Sequence, residues 1–292
     1  MFYLNQRTIY KKTSINGIGL HSGDFVSITL KPAKANSGII FIKNGVKIPA
    51  HINYAKGFEF STTIENQGEK VQTIEHIMAS LYLLGIDNLI IEINGDEVPI
   101  LDGSASEFIN LIKKVGIKTL NEEKVYAVLE KDIYVEDKDK FIEAFVSDEP
   151  IFTFEAKYNN QIIGNKRFTF NQFKDNYNLV SPARTYCFYE EVEFLKSLGL
   201  AKGGSLENAV VFKEETVLNP EGLRFDNEPV RHKLLDLIGD LYLLGYPLIG
   251  NIHSFKGGHA LNAKFVRKLI EENAFSLKKA NEISLRKNIK VA

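Results

Sequence analysis

LRFDNEPVRHKLLDLIGD, residues 223–240, is the stretch on which the reading of the whole chain turns. Asp226 or Asn227 can cap a helix here, and Pro229 falls in the first turn, where its missing N–H costs nothing. Val230, Leu234, Leu237, Ile238 and Leu241 then recur at helical spacing and form one apolar face. At about 100° per residue, His232, Asp236 and Asp240 form a second stripe roughly opposite. An imidazole and a carboxylate one turn apart can share a metal ion. A solvated polar face carries the same pattern.

A second stretch echoes the first. TIEHIMASLYLL, residues 73–84, reads as a helix stopped by Gly85. Its LYLLG ending, 81–85, returns at 241–245. Each copy is followed by a strand, NLIIEI at 88–93 or PLIGNIHSF at 247–255. A loop with Asp102-Gly103 or Gly257-Gly258 follows, and then another helix, about 105–114 or 261–273. A twofold repeat of a strand-rich unit predicts an α+β fold built by duplication, two similar units packed face to face. Aligning the copies puts His76 opposite Asp236. In a pseudo-twofold arrangement these residues can meet between the units, where sites are often built. LYLLG is also a plain core motif.

The remaining elements fit this frame. DFVSITL (24–30) and GIIFIK (38–43) alternate as strands, punctuated by Asn16-Gly17, Ser22-Gly23 and Asn44-Gly45. TLNEEK at 119–124 reads as a polar connection and candidate boundary. It divides an N-terminal α+β domain, 1–120, carrying Glu75 and His76, from a C-terminal α+β domain, 124–292, carrying His232, Asp236 and His259. Strands resume through VYAVLE, KDIYVED, KFIEAFV and IFTFEAKY, a helix is expected over 190–200, and the lysine-rich tail is expected to fray.

Composition narrows the function classes. Of 292 residues, 44% are hydrophobic and 25% charged, which is ordinary for a soluble globular protein. A net charge of −1 gives no basic field for nucleic acid. A lone cysteine, Cys187, permits no internal disulfide and fits the reducing cytoplasm. No signal peptide pattern opens the chain, and its longest apolar runs are too short to span a bilayer.

Six histidines are present, of which His76 follows Glu75 and His232 precedes Asp236 by one turn. His76, His232 and Asp236 would make an open Zn2+ site with one position left for water, whose pKa the metal lowers to about 7. Glu75 points about 100° away from His76 on the same helix and could act as general base; an ordinary solvent-facing glutamate is the alternative. His259, in KGGHA, is a general acid or a turn histidine at a helix cap. Thr185, in ARTYCF, can hold an oxyanion or sit in a strand. Lys233 and Lys256 can receive an anionic substrate or be surface lysines.

Six stretches together resemble the UDP-3-O-acyl-N-acetylglucosamine deacetylase family, the zinc amidases of lipid A synthesis in Gram-negative bacteria. They are GIGLHSG (17–23), VQTIEHIMASLYLLGIDNLIIEI (71–93), VPILDGSASEF (98–108), ARTYCF (183–188), GLRFDNEPVRHKLLDLIGDLYLLG (222–245) and FKGGHALN (255–262). The resemblance covers essentially the whole chain, in order. It implies a two-domain sandwich with the helices layered between the sheets. It implies His76, His232 and Asp236 as zinc ligands, Glu75 as base, His259 as acid with Asp240 as its charge partner, and Thr185 as oxyanion donor. Lys233 matches a lysine near the active site and Lys256 one that contacts substrate. Tyr158 and Phe188 match aromatic positions near the uracil, Tyr158 standing where phenylalanine is expected. Residues 192–211 match an insert forming an apolar tunnel for the acyl chain, which Leu195, Leu198, Leu200 and Leu206 suit chemically. The implied reaction cleaves the N-acetyl group to give acetate and the free amine. The implied protein is a cytoplasmic monomer acting on a small nucleotide-sugar lipid, with at most peripheral membrane contact and no nucleic acid partner.

Three rivals stay open at this level. A zinc peptidase is disfavoured, because HEXXH is absent. A non-enzymatic binding module would keep the fold without turnover. A structural duplication whose polar helix face only joins the units would bind no stoichiometric zinc.

Overall fold

The protein is described by a computed structural model covering residues 1–287 apart from Asn159 and Gln161. Six helices occur among the described residues: α1 (Glu75–Leu84), α2 (Ser106–Val115), α3 (Tyr189–Ser197), α4 (Glu228–Leu241), α5 (His259–Glu271) and α6 (Ala280–Lys287). The apolar alternation of the N-terminal half builds a five-stranded sheet. Its spatial order is Thr13–Ile18, Phe25–Pro32, Leu89–Ile93, Ile39–Lys43, Val46–Pro49. Along Phe25–Pro32 the inward residues Val26, Ile28 and Leu30 are buried while their neighbours are not, the period-2 signature of a half-buried strand. Leu89–Ile93 runs parallel to Ile39–Lys43 and antiparallel to Phe25–Pro32.

The second half repeats this wiring. Ile133–Asp137, Lys140–Phe145, Leu248–Phe255, Pro150–Lys157 and Asn165–Asn171 lie in the same relative order. Within this set the strand after the long helix, Leu248–Phe255, again takes one parallel and one antiparallel partner. Its first residues also pair parallel with Val125–Leu129, which together with Phe275–Lys279 extends the sheet to seven strands. The equivalence of the two copies extends to their ends. Gly85 ends α1 at φ 67°, and Gly245 ends the turn after α4 at φ 86°, a left-handed conformation that favours glycine. Each half adds one insert over the same end of its long helix. Three short strands (Ala55–Gly57, Thr63–Asn66, Glu69–Val71) precede α1, and Tyr186–Phe188, α3, Val210–Lys213 and Thr216–Val217 precede α4.

The long helices form the middle of the sandwich. Every residue of α1 is buried, as its nearly all-round apolar sequence requires. Helix α4 buries all but Arg231 and Lys233 among its 14 residues, packing against α1 on one side and against Pro150–Lys157, Asn165–Asn171 and α5 on others. One core runs through both halves, from Ile28, Leu89 and Leu81 to Leu234, Leu237, Phe152 and Ile252.

Some expectations change. Asn227 sits at the start of α4 but does not cap it through its side chain. Its Oδ1 accepts from Arg231 Nε at 2.6 Å instead. Residues 119–124 are not a free connection: Ile117–Glu123 is a strand paired antiparallel with Asn5–Ile9. The tail continues as Phe275–Lys279, which pairs with Val125–Leu129, and then as α6; residues 288–292 lie outside the described residues.

Candidate metal centre and active-site cleft

The polar stripe of α4 does not face solvent. His232, Asp236 and Asp240 are each at most 3% exposed, turned toward the first turn of α1, where Glu75 and His76 are as deeply buried. The two helices can approach this closely because position 239 is glycine. A Cβ there would stand 2.1 Å from the Glu75 carbonyl oxygen and 3.1 Å from the Ala79 nitrogen.

His76, His232 and Asp236 each offer one ligand atom, and these atoms lie within 4.8 Å of one another. Asp236 Oδ1 is 3.3 Å from His232 Nε2 and 3.7 Å from His76 Nε2. It is buried without a hydrogen-bond partner, which is costly for a carboxylate oxygen unless something else satisfies it. His232 Nδ1 lies 3.0 Å from the Ala183 carbonyl oxygen; donating there leaves Nε2 with its lone pair facing Asp236 and His76. Two neutral imidazoles and one carboxylate converging with an orphaned oxygen are the donor set of a three-ligand metal site with an open position. Electrostatics keep the donors ready. Burial, then His232, pushes the His76 pKa down to about 3, and burial lowers that of His232. Burial works against the Asp236 charge, but the cationic neighbours Lys233 and His259 overcome it and hold the carboxyl far below its usual range.

Two titratable groups flank this cluster. Burial pushes the Glu75 carboxyl up to about 8. Its Oε2 accepts from the Thr62 backbone N–H at 3.0 Å, and its Oε1 lies 3.9 Å from His259 Nε2. His259 opens α5. Its Nδ1 donates to Asp240 Oδ2 at 2.8 Å, and Asp240 raises its pKa to about 9 against the opposing effect of burial. A carboxyl poised near neutrality and an imidazolium held charged, facing each other beside a metal centre, can take and give a proton in one turnover. Burial disfavours the Lys233 ammonium as well, yet Asp236, 2.9 Å away, raises its pKa above the ordinary lysine value.

A cavity of about 30 Å³ is lined by Glu75, His76, Thr185, His232, Lys233, Asp236 and His259, together with Leu20, His21, Phe60 and Thr73. Leu20, His21, Phe60 and Thr185 also line an adjoining apolar channel of about 360 Å³. Leu195 and Leu206 line that channel, whereas Leu198 and Leu200 are absent from its wall, Leu198 being exposed. Cys187 lines it too, its thiol pushed up to about 11 by burial. Tyr158 and Phe188 have ring centroids 6.1 Å apart, and Tyr158 shares a 2.7 Å hydroxyl contact with Tyr186, whose ring lies beside His232. Lys256 is not among the residues of the metal cavity; its Nζ donates to Asp139 at 2.6 Å.

Residues 6–271 match one protein family, described as UDP-3-O-acyl N-acetylglycosamine deacetylase, LpxC. The chain belongs to that family. It is 45% identical over 267 residues to the UDP-3-O-acyl-N-acetylglucosamine deacetylase of Aquifex aeolicus, covering 91% of this chain and 93% of that one. The enzymes of the same name from Nautilia profundicola and Anaeromyxobacter dehalogenans are each 42% identical, over 94% and 92% of this chain and 94% and 89% of their own. Members of the LpxC family are metalloenzymes, in keeping with the His-His-Asp group.

Several residues of the cleft carry no signal in sequence. Glu97 is 2% exposed and accepts from the His21 and Ser22 backbone N–H groups and from Thr73 Oγ1, tying the GIGLHSG loop to the start of α1. Thr73, two residues before α1, takes φ 57°, unusual for a β-branched residue. Thr62 touches both Glu75 and Asp240. Gly239 is silent because a glycine inside a helix announces neither a neighbour nor a crossing.

Proposed function

We propose that this LpxC-family protein hydrolyses the N-acetyl group of UDP-3-O-acyl-N-acetylglucosamine, with zinc as its metal, in the cytoplasm. The observation that carries the reading is one buried cleft. It holds a His-His-Asp donor set with an orphaned carboxylate oxygen, a carboxyl near pKa 8 and an imidazolium near pKa 9. A zinc ion held by His76, His232 and Asp236 would supply a Lewis acid that acidifies water and polarises the acetamide carbonyl. Glu75 takes the proton of the attacking water. Thr185 donates its hydroxyl to the oxygen on which charge develops, and Lys233 adds positive charge nearby. His259, kept cationic by Asp240, gives its Nε2 proton to the sugar nitrogen as the C–N bond breaks, since an amide does not expel an amine anion. Acetate and the glucosamine nucleotide leave. The adjoining channel, about 360 Å³ and mostly apolar, would take the acyl chain while the sugar stays at the polar cleft; Leu195 and Leu206 contribute to its wall. Tyr158 and Phe188 would meet the uracil and Lys256 the charged part of the substrate. No helix among the described residues is long and apolar enough to cross a membrane, so an encounter with lipid would be peripheral.

The test is acetate release from UDP-3-O-acyl-N-acetylglucosamine compared with UDP-N-acetylglucosamine. The proposal expects turnover of the acylated compound and a kcat/KM at least about 10²-fold lower without the acyl chain, because binding energy from the chain is lost. Equal turnover of both would remove the channel from the account, and turnover of neither would reject the substrate.

A further inference from the structure

Among the described residues, Thr62 is the one whose polar groups hydrogen-bond to both Glu75 and Asp240, the carboxylate behind His259. It lies in the insert of the first half and is fully buried. Its backbone N–H donates to Glu75 Oε2 at 3.0 Å. Its hydroxyl donates to Asp240 Oδ1 at 2.6 Å, across 178 residues of chain. Its carbonyl accepts from the Ile74 N–H at 3.3 Å, just before α1. Asp240 in turn uses its other oxygen, Oδ2, for His259 Nδ1 and Asn262 Nδ2, both at 2.8 Å.

This division of the Asp240 carboxylate fixes its plane. Oδ2 alone would let the group pivot about its contacts with α5. The Thr62 hydroxyl holds Oδ1 from the opposite side, so the carboxylate, and with it the His259 ring, has one orientation. The base, Glu75, is held by the same residue through its backbone. We infer that Thr62 is a positioning residue for the deacetylation, its hydroxyl setting the direction of the His259 proton donor through Asp240 and its N–H fixing the base on the facing helix. The inference rests on the acid–base reading of Glu75 and His259 and adds the group that orients them together. The acceptor of the Thr62 hydroxyl, Asp240, is not one of the three metal donors, so the hydroxyl's role is separate from holding the metal.

Thr62→Val keeps the shape and the backbone N–H and removes only the hydroxyl; Thr62→Ser keeps the hydroxyl. Steady-state kinetics, metal content and thermal melting would be measured for both. Loss of such an orienting partner typically costs about 10–100-fold in activity. The expected result is a kcat about 10–100-fold lower in Thr62→Val, with KM within about threefold, metal content unchanged, and kcat restored in Thr62→Ser. In a His259→Ala background the same Thr62→Val change should cost nothing further, because the group it orients is gone. A Thr62→Val kcat near wild type, a serine variant as impaired as the valine one, a loss of metal in parallel with kcat, or an undiminished further loss in the His259→Ala background would each overturn the inference. Wild-type turnover in the same assay separates these outcomes from failure of the deacetylase reading itself, which would show as an inactive parent.

Discussion

Gly239→Ala is the substitution for which general rules and this structure predict opposite signs. In a helix interior, alanine is favoured over glycine by about 1 kcal/mol, so propensity alone predicts a more stable protein. Here the new Cβ would fall 2.1 Å from the Glu75 carbonyl oxygen, a backbone atom that cannot rotate away, and 3.1 Å from the Ala79 nitrogen. Restoring ordinary contact needs α1 and α4 to part by about 1.3 Å at their crossing. Overpacking of this kind typically costs about 1–3 kcal/mol, so the net change should be destabilising. The functional effect should be larger. His76 rides on α1, and His232 and Asp236 ride on α4, so parting the helices opens the donor triangle. Metal sites tolerate roughly 0.2 Å of error in ligand distance, and a misplacement of about 1 Å can cost on the order of 10²-fold in rate. Denaturant melts of the metal-free protein, a metal titration and kcat would be measured together. A variant as stable as the parent or more so, with unchanged metal affinity and turnover, would refute the claim that this glycine sets the spacing of the site.

Three further outcomes are expected. Glu75→Gln and His259→Ala should each lower kcat by at least about 10²-fold while the metal stays bound, measured by steady-state turnover beside metal analysis; near-normal turnover in either removes that proton-transfer role. Leu195→Trp, which narrows the channel, should raise KM for long acyl chains more than for short ones, and an equal effect across chain lengths would take Leu195 out of the acyl path. The melting temperature of the metal-free protein should peak near pH 6.5 and fall on both sides. Burial depresses His76 to about 3 and lowers His21 and His232, so their contribution is present above the free value of 6.5 and lost as pH falls below it. Asp240 raises His259 to about 9 against burial, so its contribution is present below 6.5 and lost as pH rises toward 9. Glu75, raised to about 8 by burial, destabilises the fold further as pH climbs from 4.5 to 8. A flat profile from pH 5 to 9 would contradict these assignments.

The duplication was legible because it is local and repeated: LYLLG closes each long helix, and the strand after each takes the same place in its sheet. The alignment of His76 with Asp236 became a real proximity, 3.7 Å, for the same reason. The stripe on α4 could not be assigned from periodicity alone. A solvated face and a face buried against a second polar helix turn share one pattern, and only the crossing at Gly239 distinguishes them. Residues 119–124 looked like a connection because Ile117–Glu123 buries none of its side chains fully, so no apolar alternation marks it as a strand. Lys256, beside two glycines, was legible as a cation, whereas the carboxylate it pairs with, Asp139, lies 117 positions away and no local pattern announces it. Thr62 is the clearest case. Nothing in the run Ser61-Thr62-Thr63 marks the middle residue, whose partners come from α1 and from α4.

The most direct test of the central claim is acetate release from UDP-3-O-acyl-N-acetylglucosamine by the protein as purified, after chelation, and after zinc is restored, with metal counted per chain at each stage. One metal per chain, turnover abolished by chelation and regained with zinc, and no metal retained by Asp236→Ala would be the predicted result. Undiminished turnover after complete removal of the metal would contradict it.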